Sequence, residues 1–164
     1  MHRAALCLVA LSLVTAPAHA DWLAGIYKDG DGADMAVMQG TGQYDFKLFL
    51  YCKKDGEQHV ILQWGTEQTP VEKLKAANDV TLTVKIDDTL HTSIGQWPDY
   101  GGDHPILEYS NVYDTVAIAR DIAAAKDIVT FIYDSPSLKV HEGAVSYADG
   151  AATAAKTFLD FCTF

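Results

Sequence analysis

Cys52 and Cys162 stand 110 residues apart, one at the end of an alternating run and the other in the last apolar stripe of the chain. A bond between them would tie the end of the chain to its first third, a restriction few folds satisfy. Whether it forms depends on where the chain works, and the first twenty residues bear on that. Met1-His2-Arg3 gives a short basic start, residues 4–16 are almost uninterrupted apolar sequence, and Ala18-His19-Ala20 offers the small-x-small pattern of signal-peptidase cleavage. Residues 1–20 therefore read as an export signal cut after Ala20, and residues 21–164 as a single β-rich domain, periplasmic or secreted. The run falls short of the roughly 20 apolar residues that span a bilayer, and no later segment reaches that length. Cys7 lies inside the apolar run and reads as part of the leader, not as a lipidation site. An oxidising destination then favours pairing of Cys52 with Cys162. Metal ligation by the two thiols is the rival, but the chain has no Cys-x-x-Cys pair and no histidine at ligand spacing. No metal and no cofactor is expected.

Charge narrows the partners. The leader holds one of the 12 basic residues and none of the 22 acidic ones, so the remainder carries a net charge of −11. Lys53-Lys54 is the largest basic cluster, and such a chain repels a phosphate backbone, which excludes nucleic acid. The acidity serves solubility first and a cationic partner second.

Period-two alternation dominates the rest. In residues 43–52, Tyr44, Phe46, Leu48, Leu50 and Cys52 share one face, which puts the Cys52 sulfur in the core. Residues 59–64 read as the returning strand of a hairpin, residues 80–86 as the clearest strand, and residues 90–97, 106–113 and 138–147 as further strands. Residues 128–133 form a short apolar run, the mark of a strand covered on both faces. Two segments change period. Asp114 opens a helix through Ala125, and Asp149 opens a last helix in which Ala151, Ala155, Phe158 and Cys162 make one stripe. The pattern predicts a mainly β fold: sandwich-like or partly closed antiparallel sheets with two short helices, the C-terminal one tethered by the disulfide.

The segment KDGDGAD, residues 28–34, imitates a calcium loop. Begun at Asp29, however, it has Ala33 fifth, Asp34 sixth and Gly40 twelfth, where an EF-hand needs oxygen, glycine and a bidentate glutamate. Its flanks are strand-like, so it reads as the glycine-rich tip of a hairpin. Catalytic signatures are missing: there is no GxSxG, HExxH, phosphate loop or dinucleotide fingerprint. His59 and His91 sit on outward strand positions and read as solvated or edge residues. His141 and Glu142 are adjacent in a strand and point to opposite faces. The chemically richest segment is residues 96–105, a loop by its prolines and glycine pair. Trp97 and Tyr100 offer flat contact surface, and Asp99, Asp103 and His104 offer polar groups, as in a recognition loop. The plainer alternative is that Trp97 folds back on the core and the acids are merely hydrated.

The order of parts, with KLFLYCKK ending in cysteine, the LQWG return strand, VTLTVKIDD leading into a hairpin, and a terminal helix closing in LDFC, resembles small exported bacterial proteins of the invasion-associated locus B type. It is also similar to accessory periplasmic proteins of type VI secretion. The resemblance implies a β-sandwich, a first-to-last disulfide and a non-enzymatic role, and it carries over no catalytic residue. The expected function is a binding module for a protein of the cell envelope. The alternatives are a periplasmic inhibitor or immunity protein against a cell-wall hydrolase, and a hydrolase in its own right.

Overall fold

The computed structural model describes residues 20–65, 68–98, 105–111 and 114–162. Nine strands, β1 (Trp22–Lys28), β2 (Asp34–Thr41), β3 (Lys47–Lys53), β4 (Gln58–Gln63), β5 (Thr81–Ile86), β6 (Thr89–Gln96), β7 (Ile106–Tyr109), β8 (Ile128–Ser135) and β9 (Val140–Tyr147), form one sheet. Their order is β1-β2-β3-β4-β7-β6-β5-β8-β9, and every neighbouring pair is antiparallel. Three helices accompany them: α1 (Val71–Lys75), α2 (Thr115–Ala124) and α3 (Ala151–Cys162). The fold is mainly β, as the alternation predicts. Helix α1 is an addition to the expected two. It follows Pro70, which ends the β4 connection, and buries only Val71 and Leu74, too short a stripe to show a period.

The sandwich-like layering comes from one sheet curled over itself. Across the core, Tyr133 of β8 meets Trp64 just beyond β4 at 4.6 Å and Phe46 just before β3 at 6.0 Å between ring centroids. Gly42 sits so close to the second half that an added Cβ would lie 2.7 Å from Ala144 and 2.8 Å from Phe131. The two ends of the sheet also meet. Trp22 N–H donates to the Asp149 carbonyl at 3.3 Å, and Tyr147 N–H donates to the Asp21 carboxylate at 2.8 Å.

Helices α2 and α3 pack on each other and close the inner face, α3 against β1, β2 and β3 and α2 against β3, β4 and β5. The inner side of β3 presents Leu48, Leu50 and Cys52, all fully buried. The buried stripe of α3 is Ala151, Ala154, Ala155, Phe158 and Cys162, the expected one with Ala154 added. Cys52 and Cys162 are joined by a disulfide across Cα atoms 5.8 Å apart, inside the ordinary range for such a bond.

Three local expectations give way. Tyr44 is exposed instead of core-facing, because it and Asp45 take left-handed turn conformations, φ 58° and 59°, before the strand begins. Strand β8 is buried on one face only: Val129, Phe131, Tyr133 and Ser135 are buried, while Ile128 is exposed, since the other half of the curled sheet meets only its inner side. Asp114 occupies the N-cap position of α2 but makes no capping bond. Its carboxylate accepts instead from Asn111 Nδ2 at 2.9 Å and from the Tyr109 hydroxyl at 3.3 Å.

Candidate functional site: the outer face of the first four strands

Of the residues anticipated in the loop 96–105, Trp97 is described and Asp99, Tyr100, Asp103 and His104 lie outside the described residues. Trp97 is half-buried against the core and meets Trp64 edge-on, 6.3 Å between centroids at 70°. That is the packing expected of a side chain folded back on the interior.

Strand geometry builds a second, unanticipated surface. In β1 to β4 alternate residues face inward, so the rest share the outer face. The register places Tyr27 beside Met35 and Lys53, places Gly25 beside Val37, Tyr51 and His59, and aligns Leu23, Gln39, Phe49 and Ile61. Most of these are apolar. Leu23 and Tyr27 remain 62% and 57% exposed. Tyr27 leans over Gly25, whose missing Cβ would stand 2.9 Å from the tyrosine hydroxyl, so the ring lies along the sheet. A shallow groove of ≈ 320 Å³ runs between Leu23, Tyr27, Val37 and Tyr51.

Beside the groove opens a cleft of ≈ 510 Å³, floored by Met35, Tyr51 and Ile61 and edged by Asp29, Asp31, Lys53, Glu57 and His59. All of its charged side chains but Asp31 join in one chain of ion pairs. Lys53 Nζ lies 3.2 Å from Asp29 Oδ2 and 2.7 Å from Glu57 Oε2. His59 Nε2 lies 2.8 Å from Glu57 Oε1, and its Nδ1 is in close contact with Glu108 Oε1 of β7. An ionised carboxylate only accepts hydrogen bonds, so the protonated ring, which donates from both nitrogens, is the form this arrangement suits. The bond to Glu108 is the main cause that raises the His59 pKa, against the pull of burial and with help from Glu57. The bond from Lys53 lowers the Glu57 carboxyl, and burial raises the Tyr51 phenol. The two carboxylates favour the protonated ring.

The turn at residues 29–33 explains itself through Asp29. Its Oδ1 accepts from the N–H groups of Asp31 at 3.0 Å and Ala33 at 2.9 Å, and its other oxygen faces Lys53. Those bonds, the first of them from Ala33, lower its pKa. Asp34 is paired with Lys28 at 2.6 Å. The aspartates therefore make the turn, as expected of a hairpin tip, and the described residues contain no group of three or more side chains suited to a metal.

The histidines differ from expectation. His59 does point outward, but it is paired; His91 does not point outward, since it stands opposite the buried Val84 on the core side of the sheet and is paired there as well. His91 Nε2 reaches Asp121 of α2 at 2.7 Å, and its side chain is only 14% exposed. Two of the partners, Asp121 of α2 and Glu108 of β7, are distant in sequence, which is why the strand pattern did not show them. His141 and Glu142 separate as predicted: His141 Nδ1 faces Asp134 across the strand pair at 3.2 Å, while Glu142 accepts from Thr69 N–H at 3.0 Å and from the Tyr133 hydroxyl. Part of the cleft was nevertheless readable. Tyr51 and Lys53 share parity, as do Glu57, His59 and Ile61, and the Lys53-to-Glu57 turn brings the two sets together.

No family model matches the chain, no curated protein matches it, and no solved structure matches it. Among the described residues, no helix is long and apolar enough to cross a membrane.

Proposed function

We propose that this chain is an exported, non-catalytic binding module that works through protein contact on the outer face of β1 to β4. The observation that carries the reading is the composition of that face. An antiparallel sheet with its inner side on the core normally turns polar residues to water, yet here Leu23, Tyr27, Met35, Val37, Phe49 and Tyr51 form the surface. Contiguous apolar area open to water, mostly at Leu23 and Tyr27 and in part at Met35, Val37, Phe49 and Tyr51, marks interaction sites, and aromatic residues and methionine are enriched in them. The leader-like first twenty residues and a disulfide that persists in an oxidising compartment support export. The partner is then a protein of the cell envelope, in keeping with the exported families the sequence resembles. The occupied nitrogens of His59 support a binding role over hydrolysis.

The test is affinity capture by oxidised residues 21–164 from an envelope extract of the source, with two variants beside the parent chain. Val37→Lys, in the middle of the face, is expected to lose the captured protein, and Ala152→Lys, on the exposed side of α3, to keep it. A captured cell-wall hydrolase that the domain inhibits would make the module an inhibitor. Equal capture by the parent chain and Val37→Lys would remove this face from the account.

A further inference from the structure

The cleft beside the apolar groove differs from it in charge, and the difference points to a specific kind of occupant. Its floor of Met35, Tyr51 and Ile61 suits an aliphatic stem. Its two cations are already satisfied, Lys53 by Asp29 and Glu57 and His59 by Glu57 and Glu108. An anion would have to break those pairs. A cation would not, because Glu57 stays 46% exposed and a carboxylate has lone pairs beyond the two contacts it makes here. On the opposite lip stands Asp31, exposed, whose backbone N–H is held by Asp29 while no bond to its own carboxylate exists among the described residues. Counting Asp29, Asp31, Glu57 and Glu108 against Lys53 and His59, the site keeps two negative charges in a chain that is itself strongly acidic.

We propose that this cleft receives a cationic side chain, arginine before lysine, from the protein that docks on the outer face of β1 to β4. The proposal rests on the binding reading above and names its anchor. The stem lies on Met35 and Ile61, and the head reaches between Asp31 and Glu57. Arginine fits better than lysine because its planar group also stacks on an aromatic ring such as Tyr51 and is more weakly hydrated. A buried arginine surrounded by apolar contacts is the usual composition of an interface hot spot. The apolar groove and the acidic cleft then work as one surface, area beside charge.

The probe is n-butylguanidinium, with n-butylurea as its neutral counterpart, titrated into oxidised residues 21–164 and followed by methyl and amide NMR. The expected result is saturable shifts at the Met35 and Ile61 methyl groups and at the Asp31 and Glu57 amides with butylguanidinium, and none of comparable size with butylurea. Asp31→Asn, which keeps the backbone bond to Asp29, is expected to weaken the probe roughly three- to fivefold, the scale of one exposed ionic contact. Equal shifts from the two probes, shifts elsewhere on the molecule, or unchanged affinity in Asp31→Asn would overturn the proposal. Capture by the parent chain and Val37→Lys tests the wider reading without the probe, and so separates the two. If the probe fails at the cleft while Val37→Lys still abolishes capture, the docking face stands and the cationic anchor falls.

Discussion

His59 sits between two carboxylates, and that fixes the sign of its contribution to stability. Its pKa is raised in the folded protein, first by Glu108 and then by Glu57. A raised folded pKa means that the stabilisation is complete below the unfolded value of about 6.5 and is lost as pH climbs through the folded value. Comparison with His59→Gln isolates this term from other titrations. The melting temperature of the parent chain is expected to exceed that of the variant by roughly 1–3 °C at pH 6, the pair being partly exposed, and the gap is expected to close above neutrality. Thermal melts at pH 6, 7.5 and 9 check it, and a gap that widens with pH contradicts the pairing. A second residue with a defined task is Glu142, whose carboxylate ties Thr69, after β4, to Tyr133 of β8. Burial works to raise its pKa, and the bonds from Thr69 and Tyr133 outweigh that and leave it lowered. Glu142→Ala strands those donors and is expected to cost about 1–3 kcal/mol in chemical denaturation. Neither role was readable from the chain: parity put Glu142 opposite His141, but its partner Thr69 is 73 residues away.

Among elements, the tie between β3 and α3 holds the largest single share of stability that one bond can hold. The disulfide closes a loop of 110 residues, for which chain entropy alone predicts roughly 4–5 kcal/mol. Cys52→Ser with Cys162→Ser is therefore expected to lower the melting temperature by on the order of 10 °C or more. In periplasmic material the intact mass should show both thiols blocked, and two free thiols would contradict the bond. The hairpin tip between β1 and β2 makes the opposite kind of statement. Because Asp29 is spent on Asp31, Ala33 and Lys53, millimolar calcium is expected to leave the melting temperature unchanged, and a rise of several degrees at micromolar calcium would mean a bound ion. The β3 inner face, the β5 strand, the α3 stripe and the turn at 29–33 were legible because each is set by local spacing or turn chemistry. Two elements were not. Helix α1 buries two side chains only, and the exposed turn at Tyr44 and Asp45 hides inside an apolar alternation that continues past the true start of β3.

At the scale of the whole molecule the sheet order assembles the cleft. Strand β7 inserts between β4 and β6, far from where a simple meander would leave it, and so delivers Glu108 to His59. That step joins residues 49 apart, and strand periodicity contains no information about it. The same curling brings β1 and β9 together at their ends and seals the inner face with α2 and α3. The large side chains of the interior pack inside one core, while on the outer face of β1 to β4 the apolar residues pack only along the sheet, Phe49 stacking on Tyr51 and Tyr27 lying over Gly25. Here the chain had given a clue that alternation alone obscured: Phe49 and Tyr51 break the polar side of β3, and Met35 and Val37 do the same in β2. In a strand covered on one side only, such breaks are what the proposed docking surface rests on.

The central claim is that this surface is where the protein meets its partner. The most direct measurement is site-specific photo-crosslinking in the source cells, with a benzophenone amino acid placed in turn at Tyr27, Phe49 and, as a control, exposed Ala152 on α3. The account predicts a covalent adduct of one mass from Tyr27 and Phe49 and none from Ala152. An adduct from Ala152 with none from the sheet face would contradict it.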